Sequence, residues 1–239
     1  MELEPYEEFY YSYQTLGRGL TTPAALSHAF EAQARIYDEL IGPLLPKCGT
    51  AIDVACGYGN MLFYFKHLGL RATGFDLDQN QVALAQSLGL DARLGDLSAE
   101  LKRVDSADLI SAMDVIEHLD KNDAVVLLRD VYAALSSKGV FLLRCPCADG
   151  FNGAHDVFND MTHRWGATSI VVRQMLLAIG FKRVELVDIS VPRYPSTLRS
   201  RIRATQIELT RRVAAFGLRL LGMQSPTIWS NSVIALAWK

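Results

Sequence analysis

Cysteine is scarce in this chain of 239 residues: Cys48, Cys56, Cys145 and Cys147 are the whole complement. That is far below the density of a disulfide-stapled scaffold, so all four are expected to be thiols in a reducing cytoplasm. Cys145-Pro146-Cys147 has no second matching pair, which makes it a poor zinc clip. No run of 18 apolar residues occurs, so no helix is expected to span a membrane. The N-terminus is acidic and aromatic (Glu2, Glu4, Glu7, Glu8, Phe9, Tyr10, Tyr11) rather than basic and then apolar, so no secretory leader is expected. Basic excess is lacking too. The formal net charge of −2 argues against a surface coated by nucleic acid. The chain also has no Gly-Lys-Ser/Thr triplet, and so no expected phosphate-cradling loop.

Half of the residues are hydrophobic and 21% are charged. This suits a substantial core in one α/β domain over residues 1–239 with modest additions. The most informative stretch is Ala51-Ile52-Asp53-Val54-Ala55-Cys56-Gly57-Tyr58-Gly59-Asn60. It reads as a buried strand that stops in a turn with two glycines and enters a helix near Met61. Glycines let a backbone pass close to a ligand because no Cβ intervenes. A strand–turn–helix of this kind places a nucleotide-type cofactor at the carboxyl end of a parallel strand. A dinucleotide fingerprint would need a third glycine where this chain has Leu62, so a nicotinamide-dependent oxidoreductase is disfavoured.

Asp53-Val54-Ala55-Cys56-Gly57-Tyr58-Gly59 resembles the first motif of class I S-adenosylmethionine-dependent methyltransferases. About twenty residues on, Gly74-Phe75-Asp76-Leu77-Asp78 places an acid where a ribose diol needs an acceptor. Gly95-Asp96-Leu97 is similar to the family's adenine-contacting turn, and Asp108–Leu119 to its fourth-strand motif. The resemblance implies S-adenosylmethionine as cofactor, held by Asp53, Ala55, Gly57, Gly59, Asp76, Leu77, Gly95, Asp96, Leu97, Met113 and Asp114. A non-catalytic module that merely retains the fold is disfavoured by the intact Asp53, Gly57, Gly59 and Asp76.

The rest of the chain alternates strands and helices. Thr22-Pro23 opens a helix whose apolar residues include Leu26, Phe30, Ile36, Tyr37 and Leu40, and Gly42-Pro43 ends it. Strands are expected at about 50–56, 71–76, 92–96, 107–113, 140–145, 184–189 and 232–238. Helices are expected at about 61–68, 79–88, 121–135 and 168–179. Near-continuous apolar strands between helices indicate a doubly wound, mostly parallel sheet covered on both faces. The family resemblance adds the strand order 3-2-1-4-5-7-6, with the last strand antiparallel. Residues 1–45 form an N-terminal arm and helix, and the arm is either a surface strap or a lid over the cofactor.

Residues 147–167 read as a long polar loop leaving the carboxyl end of the fifth strand, a position where loops usually carry function. Transfer of a methyl group to an alcohol needs a base near the acceptor. The candidates are His118, His155, Asp156 and His163. Arg164 and Trp165 either frame a sugar or anchor the loop. Asp114, Glu117 and His118 would share one face of a short helix. Some methyltransferases acting on vicinal hydroxyls bind a divalent metal through a similar Glu-x-x-Glu-His, but here the first acid is Asp and no adjacent histidine pair completes the set. The favoured reading gives Asp114 to the cofactor and Glu117-His118 to the pocket wall.

Residues 192–230 interrupt the usual hairpin before the last strand. They carry Arg193, Arg199, Arg201, Arg203, Arg211, Arg212 and Arg219 among Leu198, Ile202, Ile207, Leu209, Val213, Phe216, Leu218, Leu220 and Leu221, with Glu208 the only acid among them. Such a basic amphipathic helix packs on its own domain, pairs with a second subunit, or lies on the inner face of an anionic membrane, and the packing reading is preferred. A groove for a polyanionic substrate is the remaining reading. Finally, Glu4–Tyr10, Phe158–His163 and Thr168–Leu176 resemble a bacterial methyltransferase subgroup associated with surface polysaccharides, although Met161 departs from its usual Asp-Phe-Thr-His. This implies O-methylation of a glycan or glycolipid-linked sugar. A small phenol or quinone precursor is the alternative acceptor, and nucleic acid is not favoured.

Overall fold

The computed structural model describes residues 19, 21–47, 49–190 and 197–239. The N-terminal arm, Cys48 and Arg193 lie outside the described residues. Helix α1 (Pro23–Ile41) starts as its sequence dictates: Thr22 is extended and its hydroxyl accepts the Ala25 N–H at 3.2 Å, with proline in the first turn. A 3-10 turn, Gly42–Lys47, leads to strand β1 (Thr50–Val54).

The alternation then runs α2 (Asn60–His67), β2 (Arg71–Asp76), α3 (Gln79–Ser87), β3 (Ala92–Leu94), α4 (Leu97–Leu101) and β4 (Ala107–Met113). It continues with a 3-10 turn Ile116–His118, α5 (Lys121–Ala134), β5 (Leu135–Pro146), α6 (Gly153–Phe158), α7 (Ser169–Ile179), β6 (Arg183–Asp188), α8 (Leu198–Leu220) and β7 (Ser232–Trp238). The seven strands form one sheet in the order β3-β2-β1-β4-β5-β7-β6, with β7 antiparallel to both neighbours. This is the expected doubly wound sheet. The order reverses between β1 and β4, so a crevice opens at their carboxyl ends.

Period-two alternation divides the central strands between two cores. Ile52, Val54, Ile110, Ala112, Phe141 and Leu143 face one side, with α5 and α7 over them. Ala51, Leu109, Val140, Leu142, Ile234 and Leu236 face the other, where Tyr37, Leu40 and Ile41 of α1 join Tyr64 and Phe65 of α2. Both faces of these strands are dry, which is why they read as unbroken apolar runs.

Three elements differ from the sequence reading. Strand β5 begins at Leu135, directly after α5, with a register irregularity against β4 between Ala107 and Leu109. Helix α4 replaces a plain turn: Asp96 caps it by accepting the Ala99 N–H at 2.8 Å, and Leu97 and Leu101, one turn apart, are both buried. Within 147–167, expected to be irregular, Gly153–Phe158 forms α6, whose only buried residues are Gly153 and Val157.

Helix α8 departs from the expectation that its apolar face packs on its own domain, with Ile207 and Leu218 no more than half-buried. A Thr197/Ser200 capping box starts it, yet none of its residues is buried. Leu198, Ile202, Leu209, Val213, Phe216 and Leu220 are all exposed. What ties it to the domain is polar: Arg211 reaches Asp188 at 3.2 Å and lies over the Trp229 ring. Among the described residues no helix is long and apolar enough to cross a membrane.

Candidate active site

The turn after β1 is held by its own backbone and by β2. The Cys56 N–H donates to the Phe75 carbonyl at 3.0 Å and the Gly59 N–H to the Cys56 carbonyl at 2.9 Å. Ala55, Gly57 and Gly59 all have positive φ, at 55°, 53° and 90°. For Ala55 that is a strained backbone, of the kind retained at functional sites.

The two glycines of the turn have different reasons to be glycine. A Cβ on Gly59 would stand 2.4 Å from Leu90 Cδ1 and 3.3 Å from Ala85 Cβ, so Gly59 lets α2 sit against α3 and its far end. A Cβ on Gly57 would meet nothing nearer than Gln81 Oε1 at 3.9 Å, so this position faces open space. Of the two glycines expected to let a ligand approach, Gly57 thus has open space beside it and Gly59 has packed side chains. Gly74 is a packing glycine like Gly59, since its Cβ would stand 2.6–2.7 Å from Cys56 and Leu62.

Asp76 ends β2. Its Oδ2 accepts the Gly57 N–H at 2.7 Å and its Oδ1 the Asp78 N–H at 2.8 Å. Each oxygen keeps further acceptor capacity, so the carboxylate is anchored without being used up. Burial raises its pKa, opposed by those two N–H donors. Leu77 beside it is exposed, while Leu97 is buried. The Gly95 N–H donates to the Asp76 carbonyl at 3.0 Å, which sets the Gly95-Asp96-Leu97 turn against β2.

Asp53 lies 2% exposed beneath the turn, where its Oδ1 accepts the Ser111 hydroxyl at 2.6 Å across the β1–β4 pair. Burial pushes its pKa up to about 7, the Ser111 bond opposes the rise and the Asp76 charge adds to it. A raised acid binds its proton more tightly folded than unfolded. This contribution to stability is present below about pH 4 and is lost as pH rises through about 7. Urea denaturation at pH 5 and pH 8 is thus expected to show a loss of stability at the higher pH, with a shallower loss in Asp53→Asn. An unchanged slope in the variant would remove Asp53 from the titration.

At the end of β4, Met113 Sδ lies 3.9 Å from the Tyr37 hydroxyl. Asp114 takes φ +54° and pairs through both oxygens with Arg144 of β5, with Nε–Oδ1 at 3.0 Å. Arg144 Nη1 also donates to the Tyr37 hydroxyl at 3.1 Å. The sequence reading missed Arg144 and used Tyr37 only as an apolar helix residue. The signal for Arg144 was a lone charge inside the apolar run Val140–Cys145.

The acceptor candidates separate into two groups. His118 and His163 come together, with ring centroids 4.8 Å apart and edge to face. Glu117 joins them, and the ligating atoms of the three residues all lie within 4.8 Å of one another. Asp114, the third member of the disfavoured Asp114–Glu117–His118 grouping, pairs with Arg144 instead, and His163 arrives from the 147–167 segment. Glu117 is 3% exposed, and neither carboxylate oxygen meets a donor from another residue. Burial pushes its pKa up to about 8, aided by the charge of Asp114. Burial likewise lowers that of His118, with His163 adding to the effect.

His155 and Asp156 instead pair with each other at 3.1 Å on α6, His155 being exposed, and neither belongs to the cluster. Arg164 and Trp165 take the anchoring role: the Arg164 N–H donates to the Glu117 carbonyl at 2.8 Å and Trp165 Nε1 to the Leu119 carbonyl at 2.9 Å. Cys56, Cys145 and Cys147 are buried free thiols, as expected.

Fold and site together bring a crevice at the carboxyl ends of β1 and β4, a carboxylate anchored by two backbone N–H groups at the end of β2, and an acid–imidazole cluster after β4 into one α/β domain. Residues 25–221 match the methyltransferase domain family, and the chain belongs to it. S-adenosylmethionine-dependent methyltransferases are among the solved structures that share this fold.

Among solved structures, a SAM-dependent methyltransferase from Archaeoglobus fulgidus is similar at 18% identity and TM-score 0.64, covering 87% of this chain and 94% of that one. An S-adenosylmethionine-dependent methyltransferase from Mesorhizobium loti is similar at 18% identity and TM-score 0.56, covering 85% and 97%. Both likenesses are likenesses of fold. The Bacillus subtilis (strain 168) protein YqeM is 24% identical over 132 residues, or 47% of this chain. The match spans 53% of that relative's length.

Proposed function

We propose that this methyltransferase acts on a hydroxyl of a saccharide, free or carried on a glycolipid. The observation that carries the reading is the cluster of Glu117, His118 and His163 beside the crevice. An alcohol is a poor nucleophile until its proton is drawn away, and a half-buried imidazole whose pKa is lowered is unprotonated near neutrality and able to accept it.

S-adenosylmethionine, when bound, supplies a sulfonium methyl that passes to the acceptor oxygen while sulfur keeps the bonding pair. In this reading Asp76 takes the ribose hydroxyls, and the open face at Gly57 admits the cofactor's backbone-proximal side. Leu77, Gly95, Asp96 and Leu97 border the adenine. Ala55, Met113, Asp53 and the Asp114–Arg144 pair border the methionyl end. Gly59 acts indirectly, by placing α2. Much of the rate then comes from holding donor and acceptor in line.

Helix α8 supports a lipid-borne acceptor. Leu198, Ile202, Leu209, Val213, Phe216 and Leu220 recur at spacings of three, four or seven, so they line one face, with arginines to either side. An exposed apolar stripe between cations suits the headgroup region of an anionic bilayer.

The test is transfer of labelled methyl from S-adenosylmethionine to a sugar lipid in anionic vesicles and to the matching soluble oligosaccharide. His118→Ala is expected to cut turnover about 10²-fold on both acceptors while cofactor affinity holds. Arg203→Glu with Arg219→Glu is expected to lower transfer more on vesicles than on the soluble sugar. Methylation of a phenol but of neither sugar would overturn the acceptor assignment.

A further inference from the structure

We propose that Thr162 and Asp160 are positioning residues of the methyl transfer, holding His118 in the one tautomer whose free ring nitrogen can take the acceptor's proton. The proposal rests on the hydroxyl-acceptor reading above and names the groups that make its base competent.

The direction of each hydrogen bond follows from the atoms involved. Asp160 Oδ1 receives the Thr162 N–H at 2.8 Å and the Thr162 hydroxyl at 2.6 Å. Burial alone would raise the pKa of Asp160. The two Thr162 bonds and the charges of His163 and His118 outweigh it and bring the carboxyl below its usual range, so Asp160 is ionised and can only accept. The Thr162 hydroxyl has a single proton, and it points to Asp160. Toward His118 Nδ1, 2.8 Å away, Oγ1 therefore accepts. Nδ1 carries the ring proton and Nε2 keeps its lone pair, because the bond made by one imidazole nitrogen sets the state of the other.

Half of this relay is local. In Asp160-Met161-Thr162 a carboxylate accepts the N–H two residues on, as aspartate does in turns. The other half is tertiary. The Arg164 N–H bond to the Glu117 carbonyl, at 2.8 Å, sets that turn against the 3-10 turn Ile116–His118.

The relay also distinguishes the two histidines of the cluster. His163 Nδ1 lies 2.8 Å from the Val157 carbonyl, which orients the ring but ends the chain of bonds at a neutral amide. His118 is linked to a carboxylate through one hydroxyl, so a positive charge formed on its ring is compensated. The other acids nearby serve less well. Burial pushes Glu117 up to about 8, which leaves it largely uncharged at neutrality, and Asp114 is paired with Arg144. In the transfer the acceptor O–H bond breaks and its proton goes to His118 Nε2. The oxygen–carbon bond forms as the sulfur–carbon bond breaks, with the pair going to sulfur. The imidazolium then returns its proton to solvent.

The experiment records two-bond ¹H–¹⁵N correlations of the histidine rings in the ¹⁵N-labelled full chain with S-adenosylhomocysteine. It is run at about pH 8, where burial and His163 keep His118 neutral. The His118 signals are those lost in His118→Ala, and wild type is expected to carry the proton on Nδ1. Thr162→Val keeps the shape and removes the hydroxyl. It is expected to move the proton wholly or partly to Nε2 and to cut turnover of the sugar acceptor about tenfold or more, with cofactor affinity by calorimetry unchanged. Thr162→Ser is expected to restore both tautomer and turnover, which a packing role for the threonine methyl would not. Asp160→Asn keeps an oxygen that accepts both Thr162 bonds, so it is expected to retain the tautomer and still lose turnover, because the charge is gone. A wild-type His118 protonated on Nε2, or full turnover in both Thr162→Val and Asp160→Asn, would overturn the relay. Wild type that shows the Nδ1–H form and methylates neither sugar would instead sink the hydroxyl-acceptor reading, and the base role with it.

Discussion

Gly59→Ala is expected to destabilise the fold by about 2–5 kcal/mol, while Gly57→Ala, two residues away, is expected to cost only about 1–2 kcal/mol. Both residues have positive φ, so both variants carry the backbone strain of an L-residue in the left-handed region. Only Gly59 adds a collision, because its Cβ would lie 2.4 Å from Leu90 Cδ1 and 3.3 Å from Ala85 Cβ. Relief requires α2 to back away from α3, and that movement opens the core built by Leu62, Val82, Ala85 and Leu90. Urea denaturation of the two variants is the measurement. Equal losses would mean that the contact is relieved cheaply and that both glycines serve the turn alone. The complementary expectation is that Gly57→Ala, the less destabilising of the two, weakens S-adenosylmethionine binding, since its Cβ would occupy the open space beside the turn.

Asp76→Ala is expected to weaken S-adenosylmethionine binding by about 2–4 kcal/mol, or roughly thirty- to a thousandfold. Two effects combine. The variant removes the charged acceptor proposed for the ribose hydroxyls, and hydrogen bonds to a charged group are the strong ones. It also frees the N–H groups of Gly57 and Asp78, which the carboxylate holds at 2.7 and 2.8 Å, so the turn loses the strut that shapes it. Burial raises the pKa of Asp76, so acidification protonates it sooner than an ordinary carboxylate. Since the ionised form is the acceptor, wild-type affinity is expected to fall on acidification while that of Asp76→Ala changes less. Calorimetric affinity that is the same in wild type and variant would remove Asp76 from the cofactor site.

Several features were legible because they depend on local pattern. The apolar runs at 50–54, 107–113 and 232–238 are strands buried on both faces, and burial on both faces leaves a continuous hydrophobic signature. Thr22-Pro23 and Thr168 begin helices because a hydroxyl cap is a contact within one turn. The acid at 76 was readable from its distance to the glycine turn, since both are fixed by the length of one strand–helix–strand unit.

The features that were missed depend on residues far apart in the chain. His163 reaches Glu117 and His118 only because the segment after α6 folds back and bonds the turn after β4. Arg144 meets Asp114 because β5 pairs with β4 in the register that sets Met113 beside Arg144. His155, close to His163 in sequence, points elsewhere from α6.

The sequence by itself thus determined the class of fold, the glycine turn after β1 and the acid at the end of β2, through periodicity and spacing that operate within one or two elements. Tertiary structure alone decided which glycine packs and which faces the crevice, which histidines meet, and that the apolar stripe of α8 stays uncovered by its own domain. Those outcomes turn on distances between side chains brought together by sheet order and register, and no local pattern encodes such distances.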